Sequence, residues 1–252
     1  MMQKTRKLRG LIATVRNWPR ALADHLGLGR GGYVCRLRDG TVIEIRGGTD
    51  DRHVVFEIFV ENIYPAPVRS GDIVVDIGAQ IGCYSVRAAR RGARVFAFEP
   101  FPENFAALQR NIALNGLTGV QAFPHAVGPE SAARTMFLPD DAGHTGRYSL
   151  FPGRGSKTLD VACRSLDAIV RENALERIDV VKIDCQGSEY EILFGASRET
   201  LAKIRRMIVE CEIFDRPDWS VAALRSFLEE RGFHVNARER VLYATRDRED
   251  AR

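Results

Sequence analysis

The chain predicts a doubly wound α/β fold: a mostly parallel sheet with helices packed on both faces. Three observations carry that expectation. From residue 70 onward, short apolar runs of strand length alternate with stretches of helical periodicity. One run, Ile73-Val74-Val75-Asp76, enters a glycine-bearing turn that opens a helix. The next run ends in Glu99, at the sheet position where an acid can meet a ribose diol. Composition agrees, since 252 residues with 45% hydrophobic and 28% charged side chains can bury a substantial core and exclude a disordered, collagenous or coiled-coil chain. No apolar run approaches the ~18–20 residues of a membrane helix.

Strands are predicted over 73–76, 94–98, 120–124, 180–184 and 207–210, with helices over 81–91, 102–115, 164–173 and 188–203. Ser165 ahead of an apolar run is a plausible cap. Near the end, a helix over 221–231 stops at Gly232 and leads into strands 233–237 and 241–245. The exception is 128–160, rich in Gly, Pro, Asp and Ser, which reads as an active-site covering loop containing a short hairpin.

Residues 1–69 form an N-terminal extension to a main domain over 70–252. The extension opens with seven Lys/Arg and one acid in residues 1–30, which leaves the rest of the chain slightly acidic. Leu8, Leu11, Ile12, Val15, Leu22 and Leu26 recur at helical spacing, interrupted by Pro19. This basic arm packs on its own domain or on a second copy, or touches anionic lipid or a lipid-linked substrate. A nucleic-acid partner is not expected, because the main body shows no basic-aromatic interleaving. A hairpin around Asp39-Gly40 joins 33–38 to 41–46, and a helix over 54–64 is stopped by Pro65 and Pro67. The five cysteines stand singly, without metal-ligand spacing, and read as reduced core thiols. With no signal-peptide pattern, the expected compartment is the cytoplasm.

The chemistry concentrates in Asp76-Ile77-Gly78-Ala79-Gln80-Ile81-Gly82. Gly78 and Gly82 let a ligand approach backbone, the helix start offers N–H groups, and Asp76 could hold a cationic amine. A dinucleotide pyrophosphate would want glycines where this chain has Gln80 and Cys83. S-adenosylmethionine has no phosphate, and its ammonium and carboxylate suit the turn better. A strand-turn-helix without any ligand is the competing reading.

These residues, with Tyr84-Ser85, Phe98-Glu99-Pro100, Pro102, Asn104, Leu108, Asn111 and Ala126-Val127-Gly128, resemble the FkbM-type S-adenosylmethionine-dependent methyltransferases. The second half agrees: Ser165-Leu166-Asp167, Val181-Lys182-Ile183-Asp184-Cys185-Gln186-Gly187-Ser188-Glu189, and Ile208-Val209-Glu210 follow the family's order, as do Arg46 to Asp51 and Tyr64 upstream. The resemblance spans about residues 33–235 and implies the seven-stranded, Rossmann-like class I methyltransferase sheet, with 241–245 antiparallel. Where the family usually has Asn, this chain has Gln80, and the middle acid of the Asp-x-Glu-Gly-x-Glu pattern is Gln186.

The resemblance implies an O-methyltransferase acting on a hydroxyl of a sugar, glycan precursor or polyhydroxylated metabolite. An N-methyltransferase, a polyketide-type O-methyltransferase and a non-catalytic nucleoside-binding module are the alternatives. Cofactor contacts fall to Asp76, Gly78, Ala79, Gln80, Gly82, Tyr84, Glu99, Pro100, Asn104, His125, Ala126 and Asp184. An alcohol must lose a proton as it attacks, so a base is needed. Asp184, at a strand's carboxyl end, is the first candidate, with Glu189, Glu210 and the loop residue His144 as others and Lys182 as an orienting group. Glu189 also reads as a helix first-turn charge, and His125 and His144 as solvated surface residues. No metal is expected. A homo-oligomer stays open.

Overall fold

Alternating strand residues dictate the layers. In the computed structural model, which describes residues 2–29, 31–65, 67–141, 143, 145–146, 148–152 and 155–246, Val74 and Val75 lie on opposite faces of one strand and enter two different hydrophobic clusters. The chain runs α1 (Met2–Thr14), α2 (Trp18–His25), β1 (Tyr33–Arg36), β2 (Val42–Ile45), α3 (Asp51–Val55), β3 (Ile73–Ile77), α4 (Cys83–Arg90), β4 (Arg94–Phe98), α5 (Pro102–Leu114), β5 (Val120–Phe123) and β6 (Ala126–Gly128). It continues through β7 (Ala133–Leu138), β8 (Lys157–Ser165), α6 (Leu166–Glu172), β9 (Val180–Ile183), α7 (Glu189–Gly195), α8 (Arg198–Ala202), β10 (Arg206–Glu210), α9 (Val221–Glu229), β11 (His234–Arg238) and β12 (Val241–Thr245).

The main sheet has seven strands in the order β11-β12-β10-β9-β3-β4-β5. β12 pairs antiparallel with both β10 and β11, while β10, β9, β3, β4 and β5 are mutually parallel. The chain leaves β3 toward β4 and β5, then returns to the other side of β3 as β9 and β10. The carboxyl ends of β3 and β9 therefore diverge at the switch point, where doubly wound sheets open a crevice. Gly78 sits at that point with φ +76°, and a Cβ there would lie 1.8 Å from the Asp184 carbonyl oxygen.

One face of the sheet carries α6, α7, α8 and α9. The other is covered jointly by α4, α5 and the N-terminal extension, whose Leu11, Val15, Cys35, Ile43, Ile45, Val55 and Ile58 join the same cluster as Ile81, Val86 and Leu108. Pro19 does not break a helix. It occupies the first turn of α2, where its missing N–H has no partner to lose. Among the described residues all five cysteines are free thiols. No helix of the described residues is long and apolar enough to cross a membrane.

Two local expectations are corrected and one is refined. The hairpin expected within 128–160 is present and larger than anticipated: β7 and the nine-residue β8 pair antiparallel, and β6 joins them in a three-stranded sheet. Its alternation of Leu159, Val161 and Cys163 is a strand period masked by flanking turn residues. The helix expected over 188–203 divides at Ala196, because Ser197 accepts the Thr200 N–H at 3.1 Å and starts α8. The helix expected over 54–64 instead begins at Asp51 and passes into a π-helical turn, Phe56–Glu61, closed by the left-handed Asn62.

Replacing Gly78 by Ala is expected to cost about 1–3 kcal/mol from the left-handed backbone alone, with a further loss from the clash against Asp184. Urea denaturation of the two proteins reads the difference, and equal midpoints would contradict the close approach.

Candidate active site

The crevice at the switch point deepens into a cavity of about 640 Å³, within the range of small-molecule sites. Its wall on the β3 side is the turn between β3 and α4. That turn spends its donors internally. The Gly78 and Ala79 N–H groups both donate to Phe98 O at 3.0 Å, and the Gly82 N–H donates to Ala79 O at 2.8 Å. Gln80, in the left-handed region at φ 50°, donates its N–H to Glu99 Oε2 at 2.8 Å. Phe101 N–H donates to the other Glu99 oxygen at 3.0 Å, which pins that carboxylate beneath the cavity. Burial pushes the Glu99 carboxyl up from 4.5 to about 7, against the pull of these two N–H groups.

The floor is built around Lys182. Its Nζ donates to Gly78 O at 2.7 Å and lies 3.3 Å from Asp76 Oδ1 and 3.7 Å from Asp184 Oδ2. Burial pulls this ammonium toward losing its proton, but Asp76 and Asp184 outweigh it and hold Lys182 above its ordinary range. Asp76 is fully enclosed and takes a 2.6 Å hydrogen bond from Ser85 Oγ.

The far wall comes from the extension. Tyr64, 2% exposed, donates toward Glu210 Oε2 at 2.5 Å and Asp184 Oδ2 at 3.0 Å. One phenolic proton cannot serve both carboxylates fully at once, so the Tyr64 hydroxyl is shared between them. Burial, and then the neighbouring Asp184 charge, push the Glu210 carboxyl up, while the Tyr64 hydrogen bond pulls it down. Glu57, on the π-helical turn, lines the same cavity, and burial with the Glu210 and Asp184 charges lifts it to about 7.

The cover is the segment after β7. Asn104 Nδ2 donates to Thr145 O at 2.9 Å, and its Oδ1 accepts from Arg46 Nη2 at 2.7 Å. Arg46 in turn grips the buried Asp51 with two bonds, of 2.8 and 2.7 Å. Ser149 Oγ donates to Gln186 O at 2.7 Å and ties the cover to the turn after β9.

Twelve of the residues expected from sequence line this cavity: Gly78, Ala79, Gln80, Tyr84, Glu99, Pro100, Asn104, His125, Ala126, Lys182, Asp184 and Glu210. Three others do not. Asp76 is sealed beneath Lys182 and cannot meet a ligand's amine directly. Gly82 caps α4 and gives room to Leu108, whose Cδ1 would lie 2.4 Å from an added Cβ. Glu189 is enclosed and spends its carboxylate on the N–H groups of Gly187, at 2.8 Å, and Glu212. The expected free N–H groups of the turn are likewise taken. His144 lies outside the described residues. Among the described residues no group of three or more His, Cys, Asp or Glu side chains is arranged to hold a metal. Sequence reasoning did not place Tyr64 or Glu57 in the site. Tyr64 matches the family pattern but precedes Pro65 in a segment read as a helix end, and its tertiary position beside Asp184 gives it a place in the cavity.

Comparison with known proteins follows the same lines. Residues 76–235 match the model of the methyltransferase FkbM domain. The chain is 31% identical over 226 residues to methyltransferase sdnD of Sordaria araneosa, covering 75% of this chain and 83% of that protein. It is 28% identical to 31-O-demethyl-FK506 methyltransferase FkbM of Streptomyces tacrolimicus (83% and 92% covered) and 28% identical to hexuronic acid methyltransferase AglP of Haloferax volcanii (71% and 71% covered). With the sheet order, the crevice and the matched domain in agreement, the chain belongs to the FkbM family of S-adenosylmethionine-dependent methyltransferases.

Proposed function

We propose that this enzyme methylates a hydroxyl group of a sugar, glycan precursor or comparable polyhydroxylated acceptor, and that Asp184, Tyr64 and Glu210 together receive the proton the hydroxyl gives up. The observation that carries this reading is the Tyr64 hydroxyl within hydrogen-bond reach of both carboxylates in the cavity. Two relatives named for 31-O-demethyl-FK506 and hexuronic acid support an oxygen-rich acceptor.

The residues present fit the methyl donor. The Tyr84 hydroxyl is buried without a hydrogen-bond partner among the described residues, on a side chain that lines the cavity. Each Glu99 oxygen keeps a lone pair beyond the one its backbone donor uses, as a ribose diol requires. Glu99 would hold the ribose, Pro100, His125 and Ala126 the adenine side, and Gln80 with Lys182 the carboxylate of the methionine end. S-adenosylmethionine supplies an electrophilic methyl group on a sulfonium sulfur. The chain's own task is to orient the acceptor, exclude water and accept its proton. Asp184 takes the proton first. Tyr64 can then donate to Glu210 while accepting from Asp184, so the phenol stays neutral and the proton passes on to Glu210, whose carboxyl burial already pushes up.

Glu99→Gln is expected to weaken S-adenosylhomocysteine binding about tenfold or more by calorimetry, one lost charge-assisted bond being worth that much. In the wild type, affinity should rise as pH increases through about 7, because a bound diol favours the carboxylate. The sign reverses for the unliganded protein. Its Glu99 binds protons more tightly folded than unfolded, so its contribution to stability falls as pH rises from 4.5 to about 7. Unchanged binding in Glu99→Gln would remove the assignment.

With a hydroxyl acceptor, Asp184→Asn should lower kcat by about 10²–10⁴-fold. Tyr64→Phe should move the acidic limb of the pH–rate profile to higher pH, because it removes the hydrogen bond that eases ionisation of Glu210. An acceptor panel in which only amines are methylated, with both variants as active as wild type, would sink the proposal.

A further inference from the structure

A second cavity, of about 580 Å³, opens on the extension side, between α1, the turn joining β1 to β2, the π-helical turn and the carboxyl end of α4. Its charge balance is lopsided. Arg38, Arg87, Arg90 and Arg91 line it against a single carboxylate, Asp39. Among the described residues none of the four arginines has a carboxylate partner within ion-pair distance. Arg87 is saturated by neutral acceptors, donating to Ile58 O, Asn62 Oδ1 and Tyr64 O at 2.7–2.8 Å. Burial, and to a lesser degree the like charge of Arg91, works against its ionised form.

The other three keep donors to spare. Arg38 Nε donates once, to Ile12 O at 3.0 Å, and Arg90 Nη2 once, to Asp39 O at 2.8 Å, of the five N–H groups each guanidinium carries. The Arg91 side chain has no hydrogen bond or ion pair among the described residues. The Asp39 carboxylate is turned back to its own loop and accepts the Thr41 N–H at 2.8 Å. Thr41 supplies an independent sign: it is 1% exposed, lines the cavity, and its hydroxyl has no hydrogen-bond partner among the described residues. Basic residues at a helix end do answer the helix dipole. That dipole is worth only about half an elementary charge, and cannot neutralise four guanidinium groups.

We infer that this cavity is a binding site for a phosphoryl anion, with Arg38, Arg90 and Arg91 gripping its oxygens and the Thr41 hydroxyl donating to it. Guanidinium groups recognise phosphate through paired N–H donors, and a dianionic or pyrophosphate group matches the excess positive charge. The site is distinct from the methyl-transfer cavity: Tyr84 in the first turn of α4 lines that one, whereas Arg87, Arg90 and Arg91 at the other end of the helix line this one. Ile58 borders both cavities and Arg87 holds the Tyr64 carbonyl, so an anion bound here would brace the segment that carries Tyr64 into the active site. The phosphoryl group can belong to a soluble molecule or to a lipid headgroup, and the two sources give different results below.

The test is calorimetry of the full chain with inorganic phosphate and pyrophosphate. In parallel, sedimentation with phosphatidylcholine vesicles, with and without phosphatidylglycerol, probes the lipid source. Arg91→Gln, which breaks no bond of the fold, and Arg90→Gln should each weaken binding about tenfold, with S-adenosylhomocysteine affinity unchanged as the folding control. Thr41→Val should weaken it several-fold without lowering the melting temperature, because the deleted hydroxyl has no partner to abandon. Pyrophosphate binding that is lost in the variants establishes the site with a soluble ligand. Binding to anionic vesicles alone, lost in the same variants, establishes it with a headgroup. No binding of either, or binding that the arginine substitutions leave intact, overturns the inference.

Discussion

A buried ammonium group holds the active site together. Lys182 reaches from β9 to the carbonyl of Gly78 in the neighbouring turn and pairs with Asp76 on β3, with Asp184 at its own strand's end close by. Its charge also lies 5.8 Å from the centre of the Tyr64 ring. With Lys182 only 4% exposed and Asp76 fully enclosed, each provides the other's compensating charge away from water. The pair thereby welds the two diverging strands at the point where the crevice opens, and its excess negative partner, Asp184, is left facing the cavity.

From that weld the remaining groups acquire their positions. Asp184 draws Tyr64, and Tyr64 brings Glu210 into the same hydrogen-bonded unit. The N-terminal segment therefore completes the cavity wall, since Tyr64 arrives from it through a π-helical turn held by Arg87 on α4. Glu57 rides on the same turn. The methyltransferase sheet supplies the crevice, and the extension supplies its far wall.

The β3–α4 turn shows how a motif can be read in place and out of role. Its glycines suggested a cradle of free N–H groups, as at phosphate-binding turns. Folded, those groups bond Phe98 and Glu99, and Gly78 is small because the Asp184 carbonyl, not a ligand, occupies the space of its missing Cβ. The acids divide in the same manner. Asp76 and Glu189 are consumed by Lys182 and by backbone donors, whereas Asp184, Glu99 and Glu210 reach the cavity. Spacing along a strand tells which face a side chain takes, but not what will be packed against it.

By itself the sequence determined the layered sheet, the order of the main sheet's strands and helices along the chain, the family and many of the residues that line the crevice. All of these rest on local periodicity and on motifs whose members lie within a few residues of one another. The tertiary structure alone decided which acids reach the cavity, that Tyr64 and Glu57 line it beside them, and that four arginines from the turn between β1 and β2 and from the carboxyl end of α4 share a second cavity. Those outcomes depend on contacts between residues up to 146 positions apart, such as Tyr64 with Glu210. No local pattern encodes them. They are set by which neutral acceptor, opposite charge or apolar neighbour the folded chain brings to each buried polar group.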